Sequence, residues 1–312
     1  MIPKLFHYIS KMLICLVFPL IFELHAQEQA TAPTPILIRP FGDSITYGVG
    51  FSDWGLCPIF PINQFVCMPP SPVGGGYRGF MTLYATQNVG ITFTTEGYQS
   101  GGSYFLQWIL NTQTHDGYPG YRTDQLIQMS KYASFANFTL VHAGTNDILQ
   151  NKNKDKGIDT AVTNLFTLVG NLLDKNKNMT VLLAQIIQFD SSGKFAHLNS
   201  QVLAYNQKIR MQYDSLDPSQ KLRVKLVDMS NLLKPQIEYS VDGIHPNYLG
   251  YSKMACKWIA KIKNVDTFPS GSVCYNYETN LLKKEAYPSK SDLKKLRTPK
   301  KDQVEKMMRG KL

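Results

Sequence analysis

The feature of this 312-residue sequence that most constrains its fold is a series of short apolar runs separated by stretches with helical periodicity. The runs are rich in β-branched and aromatic residues and lie at 35–41, 91–95, 138–143, 180–187 and 224–227. Near-continuous apolar runs are typical of strands that are buried on both faces of a sheet. Helix-like stretches lie between or after them, at 125–135, 158–174, 198–213 and 248–262. This alternation predicts an α/β fold with a doubly wound, mostly five-stranded parallel sheet and helices on both faces.

The predicted sheet belongs to one domain, roughly residues 33–265, and a different kind of sequence precedes it. Lys4 and Lys11 stand before a short apolar run that is followed by the small residue Ala26. This is the pattern of a secretory signal peptide, which we expect to occupy residues 1–26. The run is too short to span a bilayer, which takes about 20 residues. We therefore expect a secreted protein, periplasmic or extracellular, with no stable membrane insertion of the mature chain; an uncleaved anchor is the alternative.

The basic character of the chain is concentrated at its C-terminal end. Residues 283–312 hold eleven Lys or Arg and four Asp or Glu, which accounts for seven of the ten net positive charges. A nucleic-acid site would need basic and aromatic residues together on a folded surface, and we find no such pattern in the predicted domain. We expect residues 266–312 to form a C-terminal extension with a solvated basic tail, and we expect no nucleic-acid partner.

The cysteines fit an exported protein. Cys15 leaves with the signal peptide, and the four that remain allow three pairings in an oxidising compartment. We favour the local pairing of Cys57 with Cys67 and of Cys256 with Cys274, because each pair closes a short loop. The cysteines form no CxxC motif and have no neighbouring histidine at a metal-ligand spacing. We therefore expect neither a metal nor a cofactor.

Reactive residue types follow the predicted strands, at the edge where a parallel sheet places its ligand site. Ser44 comes directly after the first strand and can act as a nucleophile or merely cap a helix. Gly120 lies in a constrained turn after the second strand, and Asn146 follows the third. A backbone N–H and a side-chain amide at these places can bind an oxyanion. Asp242 and His245 follow the fifth strand, three residues apart, so that the carboxylate can orient the imidazole.

Each of these residues alone has a plain structural alternative, either a helix cap or an ordinary loop. Their joint occurrence at four strand ends predicts an acyl-transfer site. The segments resemble those of the SGNH hydrolases, also called GDSL esterases. The matching segments are Gly42-Asp43-Ser44-Ile45-Thr46, Gly120, Gly144-Thr145-Asn146-Asp147 and Asp242-Gly243-Ile244-His245-Pro246. The resemblance implies a flavodoxin-like SGNH hydrolase fold, a triad of Ser44, His245 and Asp242, and an oxyanion hole formed by Ser44, Gly120 and Asn146.

Further segments resemble carbohydrate esterase family three, whose members are similar to acetylxylan esterases. They are Gly75-Gly76-Tyr77-Arg78 and His115-Asp116-Gly117-Tyr118-Pro119-Gly120. Within the second segment, Gly117 competes with Gly120 for the oxyanion position. The resemblance implies a serine esterase acting on an acetylated carbohydrate, and we expect it to be a monomer.

Two alternatives for the function stay open. The segment from Gly50 to Gly76 is longer than that family leads us to expect, and it adds several apolar residues: Trp54, Ile59, Phe60, Ile62, Phe65 and Val66. A lipase or lysophospholipase that uses this 50–76 loop as an acyl-chain site is the first alternative. A non-catalytic module that binds glycans or membranes through the basic tail is the second.

Overall fold

The structure is a computed structural model that describes residues 35–50, 56–57, 65–66, 75–86, 91–101, 114–151, 154–266, 268 and 274. The expected signal peptide, nearly all of the basic extension and most of the 50–76 loop lie outside these residues. The domain limits at 26, 33 and 265 therefore stay predictions. No helix within the described ranges is both long and apolar enough to cross a membrane.

The central sheet has seven strands in the described part of the chain. They are β1 (Ile36–Gly42), β4 (Phe93–Thr95), β5 (Gln99–Ser100), β6 (Thr114–Gly117), β7 (Phe138–His142), β8 (Thr180–Ala184) and β9 (Val224–Val227). The strand order is β5-β6-β1-β7-β8-β9, with β4 also paired to β1. All pairs are parallel except β5 with β6. A separate antiparallel ribbon joins β2 (Leu56–Cys57) to β3 (Phe65–Val66).

Helices cover both faces of the sheet, which confirms the predicted doubly wound α/β fold. They are α1 (Ser44–Tyr47), α2 (Gly76–Thr86), α3 (Thr123–Met129), α4 (Thr145–Gln150), α5 (Lys154–Lys175), α6 (Asn199–Asp214), α7 (Pro218–Arg223) and α8 (Tyr248–Lys263). Side chains alternate along the strands, so Leu140 of β7 joins the core under α2 and α8. Its neighbour Val141 joins the core under α3, α5 and α6.

The position beside β1 is shared by two short strands, which corrects the single second strand predicted at 91–95. β4 pairs with the first half of β1, and β6 pairs with its end, where Gly42 lies opposite Gly117. Because β4 and β6 share one position beside β1, the sheet still has the five predicted parallel positions, although it contains seven strands. The apolar pattern did not predict β6, because two of its buried residues, His115 and Asp116, are polar. The strand ends at Gly117, and the predicted turn that holds Gly120 begins at Tyr118.

The buried polar residues of β6 have specific partners, although Nε2 of His115 has none among the described residues. Asp116 forms an ion pair with Arg39, and both side chains are fully buried. His115 accepts a hydrogen bond at Nδ1 from the N–H of Gly117, 3.0 Å away. A buried polar group is tolerated when it is paired in this way. The apolar pattern used for strand prediction cannot detect such a strand.

Two other predicted elements have different ends. The strand predicted at 180–187 stops at Ala184, because the side-chain amide of Asn206 takes over both backbone hydrogen bonds of Ile186. The helix predicted at 125–135 begins earlier, at Thr123, and ends at Met129. A single 3₁₀ turn, Ser130–Tyr132, follows it.

A disulfide joins Cys256 of α8 to Cys274, and both side chains are buried. This is one of the two local pairs that we expected from the spacing. Cys67 lies outside the described residues, so the pairing of Cys57 with Cys67 stays a prediction.

Candidate active site

Ser44 is placed by a sharp turn between β1 and α1. Asp43 caps the helix, and its Oδ1 accepts a hydrogen bond from the N–H of Ile45 at 3.0 Å. Gly42 is required just before the turn, because a Cβ there would lie 2.1 Å from the carbonyl oxygen of His142 on β7. The turn therefore sets the Ser44 hydroxyl at the carboxyl end of the central strand, where parallel sheets place their ligands.

His245 bridges Ser44 and Asp242, although Ser44 lies 201 residues away along the chain. Its Nε2 is 2.7 Å from Ser44 Oγ, and its Nδ1 is 2.6 Å from Asp242 Oδ2. A carboxylate at Nδ1 favours the tautomer with its proton there, because Nδ1–H can then donate to it. Nε2 is then left as the acceptor for the hydroxyl proton of the serine.

Asp242 is organised by its own turn as well as by His245. Its Oδ1 accepts hydrogen bonds from the backbone N–H groups of Ile244 and His245, at 2.9 and 3.0 Å. Partial burial alone would raise the pKa of Asp242. The hydrogen bonds and charge of His245 and the backbone N–H donors outweigh this effect and hold the pKa below its usual value. Asp242 is therefore an anion at neutral pH.

Asn146 and Gly120 lie in two segments that are bound to each other. Asn146 is in the first turn of α4, and its Nδ2 donates to the carbonyl of Tyr121 at 3.0 Å. Gln150, one turn later, donates through Nε2 to the carbonyl of Gly120 at 2.8 Å. An amide nitrogen carries two hydrogens, so within the described residues one hydrogen of Asn146 is left after the bond to Tyr121.

Asp147 connects the same two segments. Its carboxylate accepts hydrogen bonds from Thr123, the first residue of α3. The Thr123 N–H is 2.9 Å from Oδ2, and the Thr123 hydroxyl is 2.7 Å from Oδ1. A side chain of α4 thus satisfies a backbone donor at the start of α3 that has no partner within its own helix.

Of the two glycines that could supply an oxyanion donor, Gly120 has the better placement. The N–H of Gly117 is used by His115, and Gly117 packs against the backbone of Tyr47 so closely that a Cβ would lie 2.4 Å from the Tyr47 nitrogen. Gly120 is exposed, has φ +80°, and faces open space, since an added Cβ would meet nothing within 4 Å. Glycine adopts this left-handed conformation without strain, whereas most other residues do not.

The described residues thus bring Ser44, His245 and Asp242 into one chain of hydrogen bonds. Gly120 and Asn146 follow β6 and β7, the strands that flank the end of β1. Within the part of the chain that is described, no hydrogen bond joins Ser44 directly to either of them.

The carboxyl group of Asp43 is fully buried next to the nucleophile. Burial raises the pKa of Asp43 to about 6, and the hydrogen bond from Ile45 and the charge of His245 only partly oppose this shift. A side-chain hydrogen bond from Thr145 also lowers the pKa, but burial outweighs it. Asp43 therefore supports the turn through Oδ1 at an electrostatic cost.

Sequence reasoning missed two residues that contact the histidine, Gly50 and Ser240. The only available indication was that Gly50 follows the serine motif within a glycine-rich stretch. Among the described residues, no cluster of three or more His, Cys, Asp or Glu side chains could hold a metal ion.

Comparison with known proteins agrees with the motif analysis. A family model described as GDSL-like lipase/acylhydrolase matches residues 38–258. A multidomain esterase from Ruminococcus flavefaciens is 26% identical over 262 residues, which cover 76% of this chain and 30% of that protein. The chain thus spans less than a third of the length of this curated relative.

Solved structures share the fold. A family 3 carbohydrate esterase from Clostridium thermocellum aligns with a TM-score of 0.50 and 21% identity, over 73% of this chain and 94% of the other. A carbohydrate esterase of family 3 from Talaromyces cellulolyticus aligns with a TM-score of 0.51 and 15% identity, over 73% and 97% of the two chains. At these identities the likeness concerns the fold alone.

Proposed function

The chain belongs to the GDSL-like lipase/acylhydrolase family, and from this premise we propose that it is a secreted serine esterase that hydrolyses ester bonds through an acyl-enzyme. The observation that carries the proposal is the position of His245, with Ser44 Oγ at 2.7 Å from one ring nitrogen and Asp242 Oδ2 at 2.6 Å from the other. This is the arrangement in which a serine hydroxyl can lose its proton as it attacks.

In the proposed mechanism, Ser44 Oγ attacks the ester carbonyl while His245 Nε2 takes the hydroxyl proton as general base. Asp242 keeps the imidazole oriented and stabilises the imidazolium. The tetrahedral intermediate collapses when its carbon–oxygen bond breaks, and His245 returns the proton to the departing alcohol. Water then attacks the acyl-enzyme with His245 again as base, which releases the acid and restores Ser44.

The oxyanion that forms at each attack needs donors. We assign this role to the backbone N–H groups of Ser44 and Gly120 and to the second amide hydrogen of Asn146. The support is that Asn146 keeps one hydrogen after its bond to Tyr121 and that Gly120 faces open space. Donors fixed in advance stabilise the developing charge without reorganising during the reaction. The mechanism uses only side chains and backbone, so chelators should leave the rate unchanged.

For the substrate we propose an acetyl ester of a carbohydrate. The support is the likeness of the Gly75 and His115 segments to carbohydrate esterase family three, together with a curated relative that is itself named an esterase. Secretion follows from the pattern of residues 1–26, and a monomer is the simplest form in which all the proposed site residues come from one chain.

The test is hydrolysis of p-nitrophenyl esters from acetate to palmitate by the purified full chain, beside Ser44→Ala and the matched control Ser215→Ala. Ser215 lies at the exposed end of α6, where its hydroxyl bonds only to a backbone carbonyl in the described contacts. We expect activity that peaks at acetate, disappears in Ser44→Ala and persists in Ser215→Ala.

Other outcomes would redirect the proposal. Activity that depends on Ser44 but peaks at long chains would support the lipase alternative and the 50–76 loop as the acyl site. If no ester is hydrolysed in a manner that depends on Ser44, the esterase proposal is wrong, and binding of glycans or membranes through the basic tail becomes the leading hypothesis. Trapping with a fluorophosphonate, followed by mass spectrometry of the Ser44 peptide, tests the acyl-enzyme directly.

A further inference from the structure

The two ends of the 50–76 loop touch each other at a base formed by residues 48–50 and 75–76. Gly48 has φ +99°, and a Cβ there would lie 2.5 Å from the nitrogen of Gly76. The buried Tyr251 of α8 holds this base, because its hydroxyl donates to the carbonyl of Val49 at 2.5 Å. The loop base is therefore closed and fixed to α8.

The last residue of this base on the N-terminal side, Gly50, lies directly against His245. An ideal Cβ on Gly50 would lie 2.4 Å from the Cβ of His245 and 3.0 Å from the carbonyl oxygen of Pro246. Gly50 also has φ +92°, a conformation that other residues rarely adopt. The backbone of the loop base thus fills the space immediately beside the imidazole-bearing residue, at the distance that glycine alone permits.

Ser240 ties Gly50 to the turn that carries His245. Its hydroxyl donates to the carbonyl of Gly50 at 2.5 Å, and its backbone N–H donates to the carbonyl of His245 at 2.8 Å. Its own carbonyl accepts from the N–H of Gly243 at 3.0 Å, inside the same turn. Ser240 is buried, so water competes little for these bonds, and breaking them has a larger effect than at an exposed site.

We propose that Gly50 and Ser240 are positioning residues that hold His245 in line with Ser44 by fixing the loop base against the histidine turn. The proposal rests on the esterase function proposed above, in which His245 is the general base. No hydrogen bond in the described part of the chain joins either residue to Ser44; each acts through His245. A displacement of about 1 Å in a catalytic group can reduce turnover on the order of 100-fold, so a backbone contact of this kind can control the rate.

The experiment compares Gly50→Ala, Ser240→Ala and Gly170→Ala in the full chain. Gly170 is the matched control, because it lies in the helix α5 and an added Cβ there meets nothing within 4 Å. With p-nitrophenyl acetate we expect kcat to fall about 100-fold in Gly50→Ala. We expect a fall of roughly three- to tenfold in Ser240→Ala, the effect of one lost hydrogen bond. KM should change little in either, and Gly170→Ala should match the parent.

A second measurement separates positioning from general damage. The proton between His245 Nδ1 and Asp242 gives a low-field ¹H NMR signal, which we expect to shift or broaden in Gly50→Ala and Ser240→Ala but not in Gly170→Ala. Thermal unfolding of each variant shows whether it is folded at the assay temperature. If Gly50→Ala does not fold, Ser240→Ala alone still tests the proposal, because removing a hydroxyl introduces no collision.

Failure of the positioning role and failure of the esterase function give different results. A folded Gly50→Ala or Ser240→Ala variant with the parent's kcat and an unchanged low-field signal would overturn the positioning role, while the activity of the parent, absent in Ser44→Ala, would still support the esterase. If the parent has no activity that depends on Ser44, the esterase proposal fails, and the low-field signal alone decides whether Gly50 and Ser240 position His245.

Discussion

The amide of Asn146 and the ring of His245 share a property: each has one atom bound to another part of the protein and another that the proposed mechanism uses. His245 uses Nδ1 for Asp242, and Asn146 uses one hydrogen for the carbonyl of Tyr121. Committing one atom fixes the orientation of the other, which is the general requirement for a group that must be in place before the reaction begins.

Replacing Asn146 by Ala tests this at the proposed oxyanion site. We expect kcat to fall on the order of 10²–10³-fold, since this is the usual effect of removing one oxyanion donor, with little change in thermal stability. The measurement is steady-state hydrolysis of p-nitrophenyl acetate. Asn171→Ala is the matched control, because Asn171 lies near the end of α5 and its side chain makes a long hydrogen bond of 3.4 Å to Ser130. Near-parent turnover in Asn146→Ala would remove Asn146 from the site.

Asp43 gives a prediction about stability and pH. Its pKa of about 6 in the folded protein exceeds the ordinary value of 3.8, so between these pH values the native state holds a proton that the unfolded chain has lost. Its contribution to stability is therefore greatest below about pH 4 and declines as pH rises through 6. A shift of about two pKa units corresponds to about 3 kcal/mol.

Asp43→Asn keeps an acceptor for the Ile45 N–H but cannot ionise. We expect the free energy of unfolding of the parent to fall by about 2.5 kcal/mol between pH 4 and 7 relative to this variant, measured by urea unfolding at both pH values. Groups far from Asp43 titrate alike in both proteins, so the difference reports Asp43 together with the charges of His245 and Asp147 that act on it. Parallel pH dependences in parent and variant would contradict the raised pKa.

At the scale of elements, the short helix α4 acts as a clamp on the turn that carries Gly120. Its first two turns supply Asn146, Asp147 and Gln150, and each of these bonds to a residue between Gly120 and Thr123. A helix of six residues has little stability of its own, so α4 and the turn depend on each other.

We expect Asp147→Ala to lower the free energy of unfolding by about 3 kcal/mol, since it removes two hydrogen bonds to a carboxylate and leaves the Thr123 donors without that acceptor. It should also lower kcat by loosening Gly120. Asp124→Ala is the control on the same helix start, because its ion pair with Arg122 is exposed and such pairs contribute at most about 1 kcal/mol. Equal losses in the two variants, measured by urea unfolding, would show that Asp147 does not clamp the turn.

Sequence predicted those elements whose signal is local. The apolar runs predicted the strands β1, β7, β8 and β9, and the motifs selected residues that the structure brings to the ends of neighbouring strands. It missed β6, because His115 and Asp116 are buried but polar, and the partner of Asp116, Arg39, lies far away in the sequence. The contact between Gly50 and His245 was equally invisible, because a glycine backbone fitted against a distant side chain leaves no pattern of composition or period.

On the scale of the described domain, the proposed site is built from four segments that only the sheet brings together, after β1, β6, β7 and β9. The helix α8 contributes to this indirectly. Its N-terminus is capped by Asn247, whose Oδ1 accepts from the N–H groups of Leu249 and Gly250 at 2.9 and 3.2 Å, two residues after His245. One turn later Tyr251 holds the loop base. The start of α8 thus contacts the proposed site through Asn247 and Tyr251, and the disulfide at Cys256 constrains the helix further along.

The disulfide between Cys256 and Cys274 should stabilise the whole domain without taking part in catalysis. It joins residues 18 apart, and closing a loop of that length in the unfolded chain corresponds to about 3 kcal/mol of stability in the chain-entropy account. We expect a reductant to lower the free energy of unfolding of the parent by about that amount. The variant with both Cys256→Ala and Cys274→Ala should be as unstable as the reduced parent and insensitive to the reductant.

Well below the unfolding temperature the kcat of this double variant should match the parent's, because the Asn247 cap and the Tyr251 bond hold the start of α8 without the disulfide. A large loss of kcat in the folded double variant would mean instead that the disulfide transmits its constraint through α8 to the loop base and His245. A parent that is unaffected by reductant would mean that the bond contributes nothing to stability.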